Sequence, residues 1–168
     1  FYYITDKLTM IQATTETAFV IYVQTEDNRI NTSVASTQIR HLIKFTNDLD
    51  KSVYYAYGAS EVIKDRFTNI VINYGTPDVY TGVLKLFPAG YWKYEVYEVS
   101  WIGTVTVSSG NAPATEDNVL RPAADTKGVV QGLVTKGKMY VAEKDGTEQV
   151  KYTQRQEPSG TNYIYYGQ

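Results

Sequence analysis

The feature that most constrains this chain is a two-residue alternation of apolar and polar side chains. Within residues 91–99, Trp92 and Tyr94 alternate with the charged Lys93 and Glu95. The same alternation recurs in two other segments, 37–45 and 66–74. Successive side chains of a β-strand point to opposite faces, so this period indicates strands with one buried face. We therefore expect a sheet protein with mostly antiparallel strands.

Other segments complete the expected set of strands. Residues 18–23 are apolar on both faces, which indicates a central strand covered on both sides. Shorter strands are expected at 7–12, 53–57, 82–87, 101–107, 129–134, 138–143 and 148–153. Turn signals at 135–137 (Thr-Lys-Gly) and 144–146 (Lys-Asp-Gly) favour tight hairpins, and only residues 60–65 suggest a helical turn. Regularly spaced short strands predict an all-β fold, an antiparallel β-sandwich of the Ig-like or jelly-roll-like kind.

A change in composition at Ser108 suggests four sections. Residues 1–108 form the predicted β-sandwich domain. Residues 109–127 are small, polar and proline-containing, which is typical of a linker or extended arm. Residues 128–157 resume the strand pattern as a small β-hairpin unit, and residues 158–168 form a C-terminal tail. We expect the arm and the tail to reach neighbouring subunits.

The composition argues against several classes of protein. The 16 basic and 18 acidic residues are spread evenly along the chain, so electrostatic capture of nucleic acid is not expected. The longest apolar run has six residues, far fewer than the about 20 that a membrane-spanning helix needs. The sequence contains no cysteine, which removes disulfides, thiolate metal sites and a cysteine nucleophile. The chain begins with Phe1 rather than Met, which we read as an omitted initiator Met rather than as cleavage of a precursor.

The sequence carries no motif that identifies an enzyme. The common hydrolase, zinc-protease, phosphate-binding and dinucleotide-binding signatures are missing. His41, the only histidine, lies on the apolar face of its predicted strand. We interpret it as a core-edge residue bonded to backbone rather than as a general base. Acidic pairs, Asp48 with Asp50 and Glu95 with Glu98, are read as solvated turn and edge charges. We therefore expect a non-enzyme with no cofactor and no metal.

Tyrosine is the unusual residue of this chain, with 16 copies. It is favoured in strands and at protein interfaces, because it combines apolar area with a hydroxyl and has few side-chain torsions. Two clusters on predicted strands and one near the end of the chain supply more aromatic surface than a single core needs. The candidate interface residues are Tyr54, Tyr55, Tyr91, Tyr97, Tyr163, Tyr165 and Tyr166.

The segment LFPAGYWKYEVYE at 86–98 places a proline–glycine turn before alternating aromatics that end in Tyr-Glu. With the glycine-rich segment GVVQGLVTKGKMYV at 128–141, it resembles small β-sandwich virion proteins of tailed bacteriophages. The resemblance implies a virion location and an auxiliary capsid (decoration) or head-to-tail role without catalytic residues. It implies as partners the major capsid or neck and tail subunits and further copies of the chain. Gln131 stands where such proteins tend to carry an acidic residue. None of their functional residues is therefore assigned to a position of this chain.

Other functions stay open at this point. A carbohydrate-binding β-sandwich module would stack sugar rings on Tyr91, Tyr97 or the 54–57 cluster. A hydrolase would need two acidic side chains facing one cleft. Calcium binding is a further alternative at the oxygen-rich loops 26–28 and 48–50.

Overall fold

The computed structural model describes residues 10–64, 66–120 and 126–144. Over these residues the chain forms nine β-strands and a short 3-10 turn, which confirms the all-β prediction. The strands are β1 (Ile11–Thr14), β2 (Phe19–Val23), β3 (Ile39–Asn47), β4 (Val53–Tyr57), β5 (Ser60–Ile63), β6 (Thr68–Tyr74), β7 (Val83–Leu84), β8 (Gly90–Ser100) and β9 (Val129–Ala142), and the turn is Ser36–Gln38. None of the described residues lies in a helix with the length and apolarity that crossing a membrane requires.

The strands form two sheets. The larger sheet has the strand order β1-β9-β8-β3-β4, and the smaller sheet has the order β2-β6-β5, with β7 paired to β6. β8 is the central strand of the larger sheet and pairs antiparallel with β3 on one side and with β9 on the other. The pairings of β1 with β9 and of β6 with β7 are parallel, so the predicted antiparallel pairing holds for only part of the fold.

The alternating segments bury one face of each sheet in a shared core. Trp92 and Val96 of β8 and Phe45 of β3 lie in one apolar cluster with Ile21 of β2 and Ile70 of β6, and all five are 0% exposed. Burying a side chain of this size stabilises a fold by about 1.5–3 kcal/mol. The cluster therefore holds the two sheets together, and the buried face predicted for β8 is confirmed.

β2 differs from the prediction of a central strand covered on both faces. It lies at the edge of the smaller sheet, where β6 is its one neighbour among the described strands. Ile21 and Val23 are buried, but Val20 and Tyr22 are 37% and 58% exposed. An exposed apolar residue gives the same sequence pattern as a covered one, and so the pattern alone does not place a strand within its sheet.

The hairpin predicted at 135–137 is wrong. Residues 129–142 form one 14-residue strand, β9, which extends the larger sheet instead of forming a separate hairpin unit. Gly137 is the cross-strand partner of Tyr94, and a Cβ at this glycine would lie 2.6 Å from the Tyr94 hydroxyl oxygen. The tyrosine ring therefore covers the gap that the glycine leaves in its strand. Gly137 therefore leaves room for the ring of Tyr94 and does not form a turn.

Shorter predictions are also corrected. Residues 60–63, expected in a helical turn, form β5 because they pair with β6. Residues 101–107, expected as a strand, follow β8 as an irregular segment. The strand expected at 148–153, the turn residues 145–146 and the tail 158–168 lie outside the described residues.

The chain after β8 folds back over part of the outer face of the larger sheet, which is the face that points away from the core. We call this segment the cover. Trp101 is fully buried there, and its indole N–H donates to the carbonyl of Thr126 at 2.8 Å. The hydroxyl of Tyr57 donates to the carbonyl of Pro113 at 2.5 Å. These contacts enclose a second apolar cluster that contains Leu42, Tyr57, Val99, Trp101 and Ala112. The arm predicted at 109–127 thus packs, in its described part, on its own chain, because this half of the sheet face is apolar and burial removes it from water.

Candidate interaction face on the larger sheet

The part of the outer face that this cover leaves open carries two tyrosines and three lysines. They come from the adjacent strands β8 and β9 and form what we call the tyrosine–lysine face: Tyr91, Lys93, Lys136, Lys138 and Tyr140. Residues between them, such as Trp92 and Met139, are buried in the core. Side chains alternate between the two faces of a strand, so the side chains of the tyrosine–lysine face point away from the core.

The register of β8 against β9 brings like residues together. Tyr91 lies opposite Tyr140, and Lys93 lies opposite Lys138. The two tyrosine rings contact each other, with centroids 5.0 Å apart and planes inclined by 60°. Tyr91 is 56% exposed. The pair therefore presents aromatic surface to solvent from two paired strands of the larger sheet.

The lysines of this face outnumber the carboxylates that pair with them. Lys138 Nζ lies 2.6 Å from Asp48 Oδ2, and this hydrogen bond holds the pKa of Asp48 below its usual range. Lys93 and Lys136 have no acidic oxygen within 4.0 Å among the residues that the structure describes. Glu95 lies on the same face opposite Lys136, so the three lysines exceed the two neighbouring carboxylates, Asp48 and Glu95, by one positive charge, although the whole chain has a net charge of −2.

The predicted interface residues Tyr55 and Tyr97 lie on the same outer face, nearer the cover. The hydroxyl of Tyr55 donates to Glu116 at 2.9 Å, and Lys44 Nζ lies 3.2 Å from the same carboxylate. The hydroxyl of Tyr97 donates to Glu95. Both rings are half-buried and pack against the second apolar cluster. Their place at an interface stays a prediction, and within the chain they help to attach the cover to the sheet.

The other predicted interface residues are placed differently. Tyr54 is partly buried, and its ring centroid lies 5.9 Å from that of Trp92 in the core. Three further predicted residues lie outside the described part of the chain: Tyr163, Tyr165 and Tyr166. Of the predicted tyrosines that the structure describes, Tyr91 is the most exposed.

Four members of the face are absent from the predicted set: Lys93, Lys136, Lys138 and Tyr140. The expected turn at 135–137 divides β9 and so conceals the register of its three face residues against β8. The sequence nevertheless holds a signal, because Tyr-x-Lys at 91–93 and Lys-x-Tyr at 138–140 are mirror images. Antiparallel pairing of such patterns brings tyrosine to tyrosine and lysine to lysine.

The buried His41 is bonded to a carboxylate and not to backbone as predicted. Its Nδ1 lies 2.7 Å from Glu61 Oε1, and both side chains are 2% exposed. The pair joins β3 of the larger sheet to β5 of the smaller sheet. Glu98, predicted as a solvated charge, is also buried and accepts the backbone N–H groups of Ile30 and Asn31 at 3.1 and 2.7 Å. Both carboxylates bind groups of the fold itself.

The loops considered for calcium use their carboxylates within the chain. Asp50 Oδ1 accepts the backbone N–H and the hydroxyl of Ser52 at 2.9 and 2.7 Å, and these bonds lower the pKa of Asp50. Asp27 accepts the side-chain amide of Gln24 at 2.9 Å. Within the described part of the chain, no three His, Asp or Glu side chains are grouped to hold a metal ion.

Alkaline pH is expected to destabilise the fold through its buried tyrosines. Burial raises the pKa of Tyr57 and Tyr94, and burial followed by a hydrogen-bonded carboxylate raises the pKa of Tyr55 and Tyr97. Above the unfolded-state pKa of about 10, the unfolded chain releases protons that the folded chain keeps. This stabilisation is therefore complete below about pH 10 and is lost above it, by up to about 1.4 kcal/mol per pH unit for Tyr57 alone.

Urea unfolding at about pH 8 and about pH 11 measures this effect. We expect a lower midpoint at the higher pH, and a smaller difference between the two values in Tyr57→Phe. An equal midpoint at both values would mean that these hydroxyls ionise as freely in the folded chain as in the unfolded one.

Comparison with known proteins gives no relative of this chain. No protein-family model matches the sequence, and neither curated proteins nor solved structures give a match.

Proposed function

We propose that this chain is a non-enzymatic structural protein that binds neighbouring subunits through the tyrosine–lysine face. The observation that carries the proposal is the pair formed by the exposed Tyr91 and the half-buried Tyr140, with centroids 5.0 Å apart on adjacent strands of a five-stranded sheet. Tyrosines in such a position lose little conformational entropy on binding, because their backbone is already fixed. Buried tyrosine is among the residues that contribute most to protein interfaces.

The proposed setting is the virion of a tailed bacteriophage, where the chain acts as an auxiliary (decoration) capsid protein. The resemblance of residues 86–98 to such proteins supports this setting, and a neck or tail component is the nearest variant of it. The shared core between two sheets supports the finer proposal of an Ig-like or jelly-roll-like β-sandwich. Its partners are then capsid, neck or tail subunits, together with other copies of the chain.

Loss of the tyrosine pair is expected to reduce binding to assembled particles. We expect Tyr91→Ser with Tyr140→Ser to weaken attachment by about 30-fold or more, which corresponds to about 2 kcal/mol for a residue central to an interface. The measurement is the number of copies per particle, obtained by immunoblot of gradient-purified particles against a titration of purified chain.

Tyr74→Ser is the matched substitution, because Tyr74 is 40% exposed but lies at the end of β6 in the smaller sheet. It is expected to leave the number of bound copies unchanged. If the double variant binds as many copies as the unmodified chain, or if the unmodified chain never migrates with particles, the proposed function is wrong.

A second candidate function is binding of carbohydrate, which the exposure of Tyr91 also favours. A sugar ring stacks on one aromatic face, whereas the rings of Tyr91 and Tyr140 are inclined by 60° and do not form one flat platform. A glycan array distinguishes the two functions. Binding of a defined glycan that is lost in Tyr91→Ala would favour carbohydrate, and absence of binding across the array would favour the structural role.

A further inference from the structure

We infer that the partner surface bound by the tyrosine–lysine face is acidic, namely a protein segment rich in Asp and Glu. This inference rests on the proposed function and specifies the chemistry of the partner. It follows from the charge arrangement of Lys93, Lys136 and Lys138, which the fold does not explain.

The arrangement places like charges directly opposite each other. Lys93 of β8 and Lys138 of β9 are cross-strand partners. Lys136 lies two residues before Lys138 in β9 and on the same face. Like charges at opposite positions of an antiparallel pair destabilise it. A carboxylate at position 93 or 138 would remove this repulsion, as Glu95 does opposite Lys136.

Neighbouring carboxylates offset this cluster only in part. Asp48 lies within ion-pair distance of Lys138 and also interacts electrostatically with Lys93. Glu95, the cross-strand partner of Lys136, accepts the hydroxyl of Tyr97 but keeps its negative charge, so three lysines face two carboxylates. Among the described residues, Lys93 and Lys136 are therefore left without an ion pair on an exposed surface. Carboxylates of a partner would complete the charge pattern.

The composition of the face favours an acidic protein over the other polyanions. Three lysines are few for a nucleic-acid site, where several phosphates have to be neutralised at once. An acidic polysaccharide would use the tyrosines as a stacking platform, which the inclined rings of Tyr91 and Tyr140 do not provide. A protein segment can pack apolar groups against these rings while its carboxylates meet the lysines.

Lys93→Glu separates binding from folding. The new carboxylate would stand directly opposite Lys138 but also near Asp48 and Glu95, so attraction and repulsion are expected to offset and to leave the urea midpoint close to that of the unmodified chain. Binding to an acidic partner is expected to fall about tenfold, because one attractive contact becomes repulsive. Lys85→Glu is the matched control, since it makes the same change of charge at an exposed lysine after β7.

The probe is a fluorescein-labelled oligoglutamate peptide, with binding measured by anisotropy at ionic strengths of about 0.01 M and about 0.15 M. An oligoglutamine peptide of equal length, an oligothymidylate and polygalacturonate are tested beside it. We expect the oligoglutamate peptide to bind at the lower ionic strength, to lose affinity at the higher one and in Lys93→Glu, and to keep it in Lys85→Glu. Urea midpoints of both variants are measured in parallel.

Three results would overturn the inference: no binding of oligoglutamate, equal binding by the chain and Lys93→Glu, or tighter Lys93-dependent binding of oligothymidylate or polygalacturonate. The last result would assign the face to a different polyanion. Failure here is distinguishable from failure of the proposed function. If the tyrosine variants still detach from particles while oligoglutamate does not bind, only the acidic nature of the partner is wrong.

Discussion

Replacing Trp101 by alanine is expected to lower the free energy of unfolding by about 3–5 kcal/mol. Trp101 is 0% exposed and belongs to the second apolar cluster, beneath the segment that covers the larger sheet. The substitution removes its packing and leaves the carbonyl of Thr126 without the indole N–H that it accepts at 2.8 Å. Gly128→Ala is expected to disturb the packing of Trp101 and so to lower the free energy of unfolding as well, because a Cβ at position 128 would lie 2.7 Å from the Trp101 ring.

Ile102 provides the comparison for Trp101, because it is the next residue and is 71% exposed. Ile102→Ala is expected to change stability by no more than about 0.5 kcal/mol. Urea unfolding followed by circular dichroism gives both values. If Trp101→Ala costs as little as Ile102→Ala, the segment after β8 does not pack on the sheet, and the open area of the outer face is larger than described.

Breaking the buried pair of His41 and Glu61 is expected to cost about 3–5 kcal/mol. The two side chains are 2.7 Å apart and 2% exposed, so either single substitution, His41→Leu or Glu61→Leu, leaves an unpaired polar group in the interior. The double variant removes both side-chain polar groups and is expected to recover part of the loss, because the backbone N–H of residue 41 still loses the Glu61 oxygen that accepts it at 3.2 Å. The pair also joins the two sheets, so the single variants are expected to loosen β5 from β3.

A double-mutant cycle from urea unfolding measures this coupling. Single losses that add up in the double variant would show that His41 and Glu61 stabilise the chain independently. A large coupling energy, with the double variant losing clearly less stability than the two single losses combined, is the expected result.

Much of the larger sheet was predictable because its strands are half-buried. The alternation at Trp92 and Tyr94 has one physical cause, a core on one side, and the structure places both side chains there. β2 was placed wrongly because the apolar Val20 and Tyr22 lie on an open face, where the sequence signal equals that of a covered strand. β9 was divided wrongly because Gly137 is typical of turns, whereas here its pairing with Tyr94 in the neighbouring strand β8 holds it in an extended strand.

The tyrosine–lysine face was predictable only in part, because it depends on the pairing of two strands that are distant in sequence. Tyr91 stands out in sequence because strand alternation places it on the same face as the charged Lys93 and Glu95. Tyr97 has the same pattern, yet its hydroxyl binds Glu95 and its ring packs near the cover. The pairing of Lys93 with Lys138 depends on the register of two strands that are 45 residues apart, and no local pattern fixes that register.

Site-specific photo-crosslinking in assembled particles tests most directly the proposal that the tyrosine–lysine face binds other subunits. A benzophenone side chain introduced at position 91 would lie in the tyrosine–lysine face, and the same group at position 74 would lie on the smaller sheet. We expect irradiation to join position 91 to an Asp- or Glu-rich peptide of another subunit, identified by mass spectrometry, and position 74 to give no such product. Crosslinks at position 91 that stay within the chain, or that are no more frequent than those at position 74, would contradict a subunit-binding role for this face.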